Sequence, residues 1–201
     1  MGGLDKYKVI LFDLGGVLLK LHDPISTFGL QIDEPEFLRT WIMSPAVRAL
    51  ESGQISGKEF AQRMIVEMEL PMSWRELLKR FENWPDGFYP KAIDLLGQIP
   101  SRYSCAILSN TNAVHWQQAD VPGNFGNRFD RYFLSYVSGL LKPDPDSFLE
   151  VIASYACRPQ EILFYDDNPL NVAAAADVGM VSVRIQGEDE LEAGLIAAGI
   201  I

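Results

Sequence analysis

The chain has 201 residues, of which 48% are hydrophobic, and a formal net charge of −10. This length fits one core domain with a modest insertion, and the apolar fraction is too high for a disordered chain. The acidic balance argues against nucleic acid and anionic membranes as partners, because both are bound through basic surfaces.

The sequence also lacks signals for membrane insertion or export. No apolar run reaches the roughly 20 residues that span a bilayer. The N-terminal stretch MGGLDKYK lacks the apolar core of a signal peptide, and Lys6 occupies the position where a myristoylation signal has Ser or Thr. We therefore expect a cytoplasmic protein.

The first predicted element is a buried strand in the stretch VILFDLGGVLL, which begins at Val9. One carboxylate, Asp13, follows the strand directly, and a turn with two glycines comes after it. A strand end of this kind is typical of a catalytic site. A second carboxylate two residues further on would complete a pair of nucleophile and general acid, but Gly15 stands there.

Residues 20–86 show helical patterns and no strand signal. Ser56 with Glu59 and Ser73 with Glu76 form capping boxes that open two helices. We therefore expect a small all-helical insertion, or cap, over residues 20–86, and a core made of residues 1–19 and 87–201. Because the insertion leaves the sheet just after the first strand, it can cover the carboxyl ends of the strands, although a helical layer packed elsewhere also fits the pattern.

Four further strands are predicted over residues 104–109, 132–137, 162–166 and 181–185. Their apolar runs are continuous, which is typical of strands covered on both faces in a parallel sheet. The intervening helices have clear signals: Asp144 and Asn168 are predicted N-caps, each followed by proline, and Gly179 ends a helix. Together these elements predict a doubly wound, five-stranded α/β domain.

Polar side chains follow four of the predicted strands. They are Asp13, then Ser109 with Asn110, then Lys142, and finally Asp166 with Asp167. At one edge of a sheet, the carboxylates would supply the hard oxygen ligands that Mg²⁺ prefers. The lysine and the Ser109 hydroxyl would bind phosphate oxygens, and Asp13 would attack phosphorus.

The order of four motifs, FDLGGV, LSNTN, LLKPDPDSF and FYDDNPLNV, resembles the haloacid dehalogenase (HAD) superfamily over essentially the whole chain. The resemblance is strongest to the phosphatase branch with a small helical cap of the C1 type. It implies a Rossmann-like core with strand order 5-4-1-2-3, a bound Mg²⁺, and hydrolysis of small phosphorylated metabolites such as sugar phosphates.

The resemblance also implies roles for individual residues. Asp13 would be the nucleophile and a metal ligand, and the backbone carbonyl of Gly15 would be a second ligand. Ser109 and Asn110 would bind phosphate, and Lys142 would be the lysine of the third motif. In the fourth motif, Asp167 would contact the metal directly, Asp166 would act alone or through water, and Asn171 would take the later acidic position.

Gly15 departs from the family pattern, which has an aspartate there as general acid and base. Such a group contributes about 10²–10⁴-fold to the rate. Its role is therefore unfilled or taken by another residue, and His22, Asp23 and His115 are the candidates. Trp41, Trp74, Trp84 and Trp116 are expected to pack in the cap and core, with some of them lining a substrate pocket.

Three functions remain open at this point. The first is a Mg²⁺-dependent phosphatase that forms an aspartyl-phosphate, and the second is a catalytically weak phosphate-binding or regulatory protein. The third is a haloacid dehalogenase, which attacks carbon and needs no metal. The paired Asp166 and Asp167 argue against the third, because a metal-free site has no use for two adjacent carboxylates.

Overall fold

The computed structural model describes residues 6–30 and 32–201, so the first five residues, on which the export prediction partly rests, lie outside the described residues. In chain order, the described strands are β1 (Val9–Phe12), β2 (Leu19–Leu21), β3 (Pro85–Phe88), β4 (Ser104–Ser109), β5 (Arg131–Leu134), β6 (Ile162–Asp166) and β7 (Val181–Arg184). The α-helices are α1 (Pro24–Phe28), α2 (Glu34–Met43), α3 (Pro45–Glu51), α4 (Gly57–Glu67), α5 (Trp74–Glu82), α6 (Pro90–Gln98), α7 (Ala113–Ala119), α8 (Val121–Phe125), α9 (Ser135–Ser138), α10 (Pro145–Tyr155), α11 (Pro169–Asp177) and α12 (Gly187–Ala197).

Five strands form one parallel sheet in the order β5-β4-β1-β6-β7. Counted along the core alone and read from β7, this is the expected order 5-4-1-2-3. The central strand β1 is buried on both faces: Val9 and Leu11 pack into one apolar cluster, and Ile10 and Phe12 pack into the other. The α/β fold class predicted from the continuous apolar runs is therefore confirmed.

The strand predicted over residues 132–137 is shorter in the structure. It was expected to reach residue 137, but β5 ends at Leu134 and the chain turns into the short helix α9. The physical reason is the buried Ser135, whose hydroxyl donates to the Thr111 carbonyl at 3.1 Å and accepts from the Thr111 N–H at 2.9 Å. These bonds tie the end of β5 to the loop after β4.

The prediction of no strand between the first two core strands was wrong. The strands β2 and β3 form an antiparallel ribbon in which Leu19 pairs with Phe88 and Leu21 with Pro85. The ribbon joins the two ends of the helical segment, and the predicted boundaries at residues 20 and 86 fall within it. Local sequence gives little strand signal there because β3 contains proline, aspartate and glycine, which are depleted in strands.

Helices α1 to α5 pack around an apolar cluster that is separate from the two clusters of the sheet. Aromatic rings dominate it, with ring centroids 4.9 Å apart for Trp41 and Trp84 and 4.7 Å apart for Phe60 and Phe81. We call residues 24–84 the helical segment. None of the helices in the described residues is long and apolar enough to cross a membrane.

Most of the predicted helix starts are found. Ser56 and Ser73 accept hydrogen bonds from the N–H groups of Glu59 and Glu76, and Asn168 accepts one from Leu170. Asp144 stands at the start of α10 as expected, but its side chain makes no capping bond. It pairs instead with Arg48 of the helical segment, at 2.6 Å, because a charged partner lies within reach.

Candidate active site

The strand ends singled out in the sequence meet at one edge of the sheet. Asp13 follows β1, Ser109 ends β4, Asp166 ends β6, and the loop after α9 brings in Lys142. A cavity of about 180 Å³ opens at this edge, and Asp13, Ser109, Lys142 and Asp167 line it. The structure therefore brings together four groups that are more than 150 residues apart at the extremes of the sequence.

Lys142 lies at the centre of the charged cluster. Its Nζ is 2.8 Å from Asp13 Oδ1 and 2.6 Å from Asp166 Oδ2, and its side chain is only 1% exposed. Burial alone would lower the pKa of the ammonium, but the charges of Asp13 and Asp166 outweigh it and raise that pKa. The lysine therefore stays protonated beside the proposed nucleophile.

Asn110 fixes the backbone of Lys142. Its Nδ2 donates to the Lys142 carbonyl at 2.8 Å, and the Lys142 N–H donates to its Oδ1 at 2.9 Å. Both ends of the amide side chain are used in this contact. Asn110 thus fixes the backbone position from which the Lys142 side chain reaches Asp13 and Asp166.

Asp166 is held entirely by protein donors. Besides Lys142, its carboxylate accepts from the Asn168 N–H at 2.8 Å, and Asn171 Nδ2 lies 3.0 Å from both of its oxygens. It is 0% exposed and does not line the cavity. Asn171, at the position that is acidic in the family pattern, therefore orients the carboxylate of Asp166.

Asp13 and Asp167 face the cavity, and in both residues the ionised carboxylate is disfavoured. Burial, with repulsion from the other two carboxylates, raises the pKa of Asp13 to about 8 although Lys142 opposes the shift. Burial and Asp166 likewise raise the pKa of Asp167 to about 6. Oxygens of Asp13, Asp166 and Asp167 all lie within 4.8 Å of one another. Three carboxylates against one ammonium leave an excess of negative charge that suits a hard divalent cation such as Mg²⁺.

The two glycines after Asp13 have different constraints. Gly16 has φ +72°, and a Cβ there would overlap the carboxylate of Asp167. Gly15 lines the cavity and has no such constraint: a Cβ there would lie 3.3 Å from Leu21 Cδ1, at the end of a flexible side chain. The position of the missing acid can therefore accept a side chain, whereas the next one cannot.

Ser109 and the loop that follows it form the wall opposite Asp167. The Ser109 side chain is buried, and Ser109, Asn110 and Thr111 all line the cavity. Asn112 caps α7 by accepting from the N–H groups of Val114 and His115. The loop is thus held in place by its own hydrogen bonds before any ligand binds.

The helical segment supplies the other side of the cavity. Trp41, Phe81 and Trp84 give it an aromatic wall, as expected for some of the tryptophans, and Arg48 and Glu51 add two ionisable side chains. Sequence reasoning missed both charged residues. Their spacing of three places them on one face of α3, but nothing local shows that this face looks towards Asp13.

Trp74 and Trp116 pack away from the cavity. Trp74 lies against the apolar cluster of the helical segment, and Trp116 packs edge to face on Tyr132, with ring centroids 5.3 Å apart. These two tryptophans therefore have the packing role expected of them.

The candidates for the missing acid lie in three different settings. His22 is about half exposed, pairs with Asp86 at 3.5 Å and does not line the cavity, and Asp23 caps α1. His115 lines the cavity, but its Nε2 donates to the Phe81 carbonyl at 2.8 Å. Burial lowers the pKa of His115, so this ring is neutral.

The fold and the site define a hydrolase of one superfamily. The profile of the haloacid dehalogenase-like hydrolases matches residues 7–179. The chain belongs to this family, as its four motifs predicted.

Relatives in sequence include phosphatases. The D-ribitol-5-phosphate phosphatase of Bacteroides thetaiotaomicron is 26% identical over 86% of this chain and 88% of its own length. The sesquiterpene phosphatase astK of Aspergillus oryzae is 27% identical over 89% of this chain and 90% of its own length. Other relatives match over a smaller part of both chains. Flavin mononucleotide hydrolase 1 of Arabidopsis thaliana is 37% identical over 34% of this chain and 28% of its own length.

Solved structures agree with the fold. A HAD-like hydrolase from Porphyromonas gingivalis is 28% identical with a TM-score of 0.75, and the match covers 96% of this chain and 98% of that one. A HAD family enzyme of Bacteroides thetaiotaomicron, solved with magnesium and inorganic phosphate, is 25% identical with a TM-score of 0.69, over 90% of this chain and 94% of that one.

Proposed function

We propose that the protein is a Mg²⁺-dependent phosphatase of small phosphorylated metabolites. The observation that carries the proposal is the cluster of Asp13, Lys142, Asp166 and Asp167 at the base of the cavity. The phosphatases among the relatives, and the relative solved with magnesium and phosphate, support the same reaction.

Asp13 and Asp167 are the carboxylates that would hold the cation, with the Gly15 carbonyl beside them, while Asp166 positions Lys142. A bound Mg²⁺ offsets negative charge and orients the phosphoryl group. Lys142 places its ammonium next to Asp13, where it would also attract a phosphate oxygen. Ser109 and the backbone N–H of Asn110 donate to other phosphate oxygens.

With the phosphate so held, an Asp13 carboxylate oxygen attacks phosphorus. A bond forms between that oxygen and phosphorus, the bond to the alcohol oxygen breaks, and the alcohol leaves with a proton. Water then attacks the aspartyl-phosphate, which releases inorganic phosphate and restores Asp13. Two steps need proton transfer: a proton must reach a strongly basic alcohol oxygen as it leaves, and a proton must leave the attacking water.

The helical segment would act as the cap that selects the alcohol. Its aromatic wall and its two charged residues lie above the phosphate end of a cavity of about 180 Å³, so a compact substrate such as a sugar or polyol phosphate fits best. In this arrangement residues 20–86 form the cap, and residues 1–19 and 87–201 form the catalytic core.

One observation favours a second function. Gly15 leaves the first motif without its proton-transferring side chain, as in a protein that binds phosphate without turning it over. A titration of Mg²⁺ against hydrolysis of an aryl phosphate separates the two functions, because an aryl leaving group least needs the acid.

Hydrolysis that rises with Mg²⁺ and stops in excess chelator supports the phosphatase. Binding of inorganic phosphate without turnover of any ester points to the regulatory protein. Release of halide from a haloacid that continues in chelator would overturn both readings in favour of the dehalogenase.

A further inference from the structure

The helical segment brings a carboxylate into the cavity above the charged cluster. Glu51 is the last residue of α3 and lines the same cavity as Asp13, Gly15 and Lys142. Glu51 thus stands on the wall that faces the reacting phosphate, in a cavity whose sheet side lacks a carboxylate at Gly15.

The position of Glu51 is fixed from both sides. One turn before it, Arg48 pairs with Asp144, two residues after Lys142, at 2.6 Å. Two residues after it, Gly53 has φ +73°, and a Cβ there would overlap the carbonyl oxygen of Tyr136. The ion pair and this close approach hold the end of α3 against the start of α10 and against α9.

We propose that Glu51 is the general acid and base of this hydrolase and replaces the side chain that is missing at Gly15. The proposal rests on the phosphatase function proposed above. In the first step, the Glu51 carboxyl gives its proton to the alcohol oxygen as the bond to phosphorus breaks. In the second, the resulting carboxylate takes a proton from water as its oxygen attacks the aspartyl-phosphate, so Glu51 returns to its starting form.

The electrostatic setting of Glu51 suits both steps. Burial raises the pKa of its carboxyl to about 7, while a hydrogen bond with Trp41 and the charges of Lys142 and Arg48 act in the opposite direction. A group with a pKa near the working pH can both donate and accept a proton.

The other titratable side chains near the cavity are already committed. His115 is neutral and donates its Nε2 proton to the Phe81 carbonyl, and Arg48 is paired with Asp144. Asp13 and Asp167 belong to the cation cluster. Among the described residues that line the cavity, Glu51 is therefore the carboxyl group without a role in that cluster.

The test compares two esters in wild type and Glu51→Gln, using kcat/KM in the presence of Mg²⁺. This constant covers only the steps up to departure of the alcohol, so the later attack of water does not affect it. We expect Glu51→Gln to lower kcat/KM for an alkyl phosphate by about 100-fold and that for an aryl phosphate by less than about threefold. Glu59→Gln, an exposed carboxylate of the same segment, should change neither value.

The pH profile separates acid catalysis from a structural role. In wild type, the ratio of alkyl to aryl kcat/KM should fall as pH rises above about 7, because only the protonated carboxyl donates. In Glu51→Gln the ratio should be low and independent of pH. Glu51→Asp should recover part of the wild-type ratio. Adding Gly15→Asp to Glu51→Gln should recover a larger part of that ratio, because the Gly15 position can hold a side chain.

The outcomes distinguish this proposal from the phosphatase function. If wild type hydrolyses neither ester with Mg²⁺, the phosphatase function fails and the role of Glu51 fails with it. If wild type is active but Glu51→Gln keeps the alkyl rate, or loses both rates equally, only the role of Glu51 is overturned.

Discussion

The carboxyl edge of the sheet and the helical segment face each other across the cavity, and they differ in how their groups are held. At the sheet edge, Asp13, Ser109 and Asp166 sit at the ends of strands whose register is fixed by pairing. In the helical segment, Arg48 and Glu51 depend on the docking of one short helix. The sheet edge can therefore hold charged groups at fixed short distances from one another. The residues that the helical segment places over these groups depend on how α3 docks.

The difference has a chemical counterpart. At the sheet edge, hydrogen bonds and an ion pair fix the carboxylate of Asp166, and the excess negative charge of Asp13 and Asp167 suits a cation. The helical segment presents mainly aromatic surface, in which Trp41 and Trp84 pack edge to face and Phe60 and Phe81 pack at a tilt. Changes at the sheet edge should thus affect every substrate, whereas changes in the helical segment should affect substrates unequally.

The largest effect should come from the nucleophile. Asp13→Asn should lower kcat/KM by about 10⁴-fold for aryl and alkyl esters alike, because an amide cannot attack phosphorus. The fold should survive, since the pKa of Asp13 is already raised and its charge does not stabilise the protein. Kinetics and thermal unfolding check both points, and near wild-type activity would contradict the assignment of the nucleophile.

The two adjacent aspartates should respond in opposite ways. Asp166→Ala removes the partner of Lys142, Asn168 and Asn171, and should lower the free energy of unfolding by about 3 kcal/mol. Asp167→Ala should weaken Mg²⁺ binding by about 100-fold, and more than Asp166→Ala does, because Asp167 faces the cavity.

Without Mg²⁺, Asp167→Ala should leave stability at pH 7 unchanged or higher. A carboxyl whose folded pKa is raised, here to about 6, weakens the folded state as pH rises from the unfolded pKa to the folded one, because the unfolded chain loses this proton at lower pH than the folded protein does. Thermal unfolding with and without Mg²⁺ tests this sign. A destabilised metal-free Asp167→Ala, with intact metal affinity, would reverse the roles assigned to the two residues.

The neighbouring glycines give a matched pair at the sheet edge. Gly16→Ala should cost about 1 kcal/mol or more in stability and about tenfold in Mg²⁺ affinity, because its left-handed backbone disfavours alanine and the methyl group displaces Asp167. Gly15→Ala needs only a shift of the Leu21 side chain, so we expect changes within about threefold. Equal tolerance at both positions would show that Asp167 moves freely.

The smallest effect should come from the contact between the two regions. Arg48→Met removes a partly exposed ion pair, which is worth less than about 1 kcal/mol in stability. It should nevertheless raise KM for an alkyl phosphate a few-fold by loosening α3. Arg63→Met, which breaks the exposed pair with Glu59 on the far surface of the segment, is the control and should leave KM unchanged. Identical kinetics of the two variants would mean that docking of α3 does not depend on Arg48.

Much of the sheet edge could be predicted from sequence, because the signals are local. A continuous apolar run followed by a polar residue identifies a buried strand and its end, and parallel strands bring their carboxyl ends to one edge. Asp13, Ser109 and Asp166 were found in this way, and Lys142 was found as a polar residue in the segment after the third predicted strand. Helix starts at Ser56, Ser73 and Asn168 were equally local, since a cap bonds to an N–H two or three residues away.

Other features depend on contacts distant in sequence, and only the tertiary structure decided them. The ribbon of β2 and β3 pairs residues more than 60 positions apart, and α9 forms where Ser135 bonds to Thr111. The division of labour between Asp166 and Asp167 depends on where Lys142 and Asn171 arrive. The sequence by itself thus determined the family and most of the side chains that meet at the sheet edge. The docking of α3, which carries Glu51 to the cavity, was decided by tertiary packing, because neither Arg48 nor Gly53 signals in sequence that Asp144 and Tyr136 lie opposite.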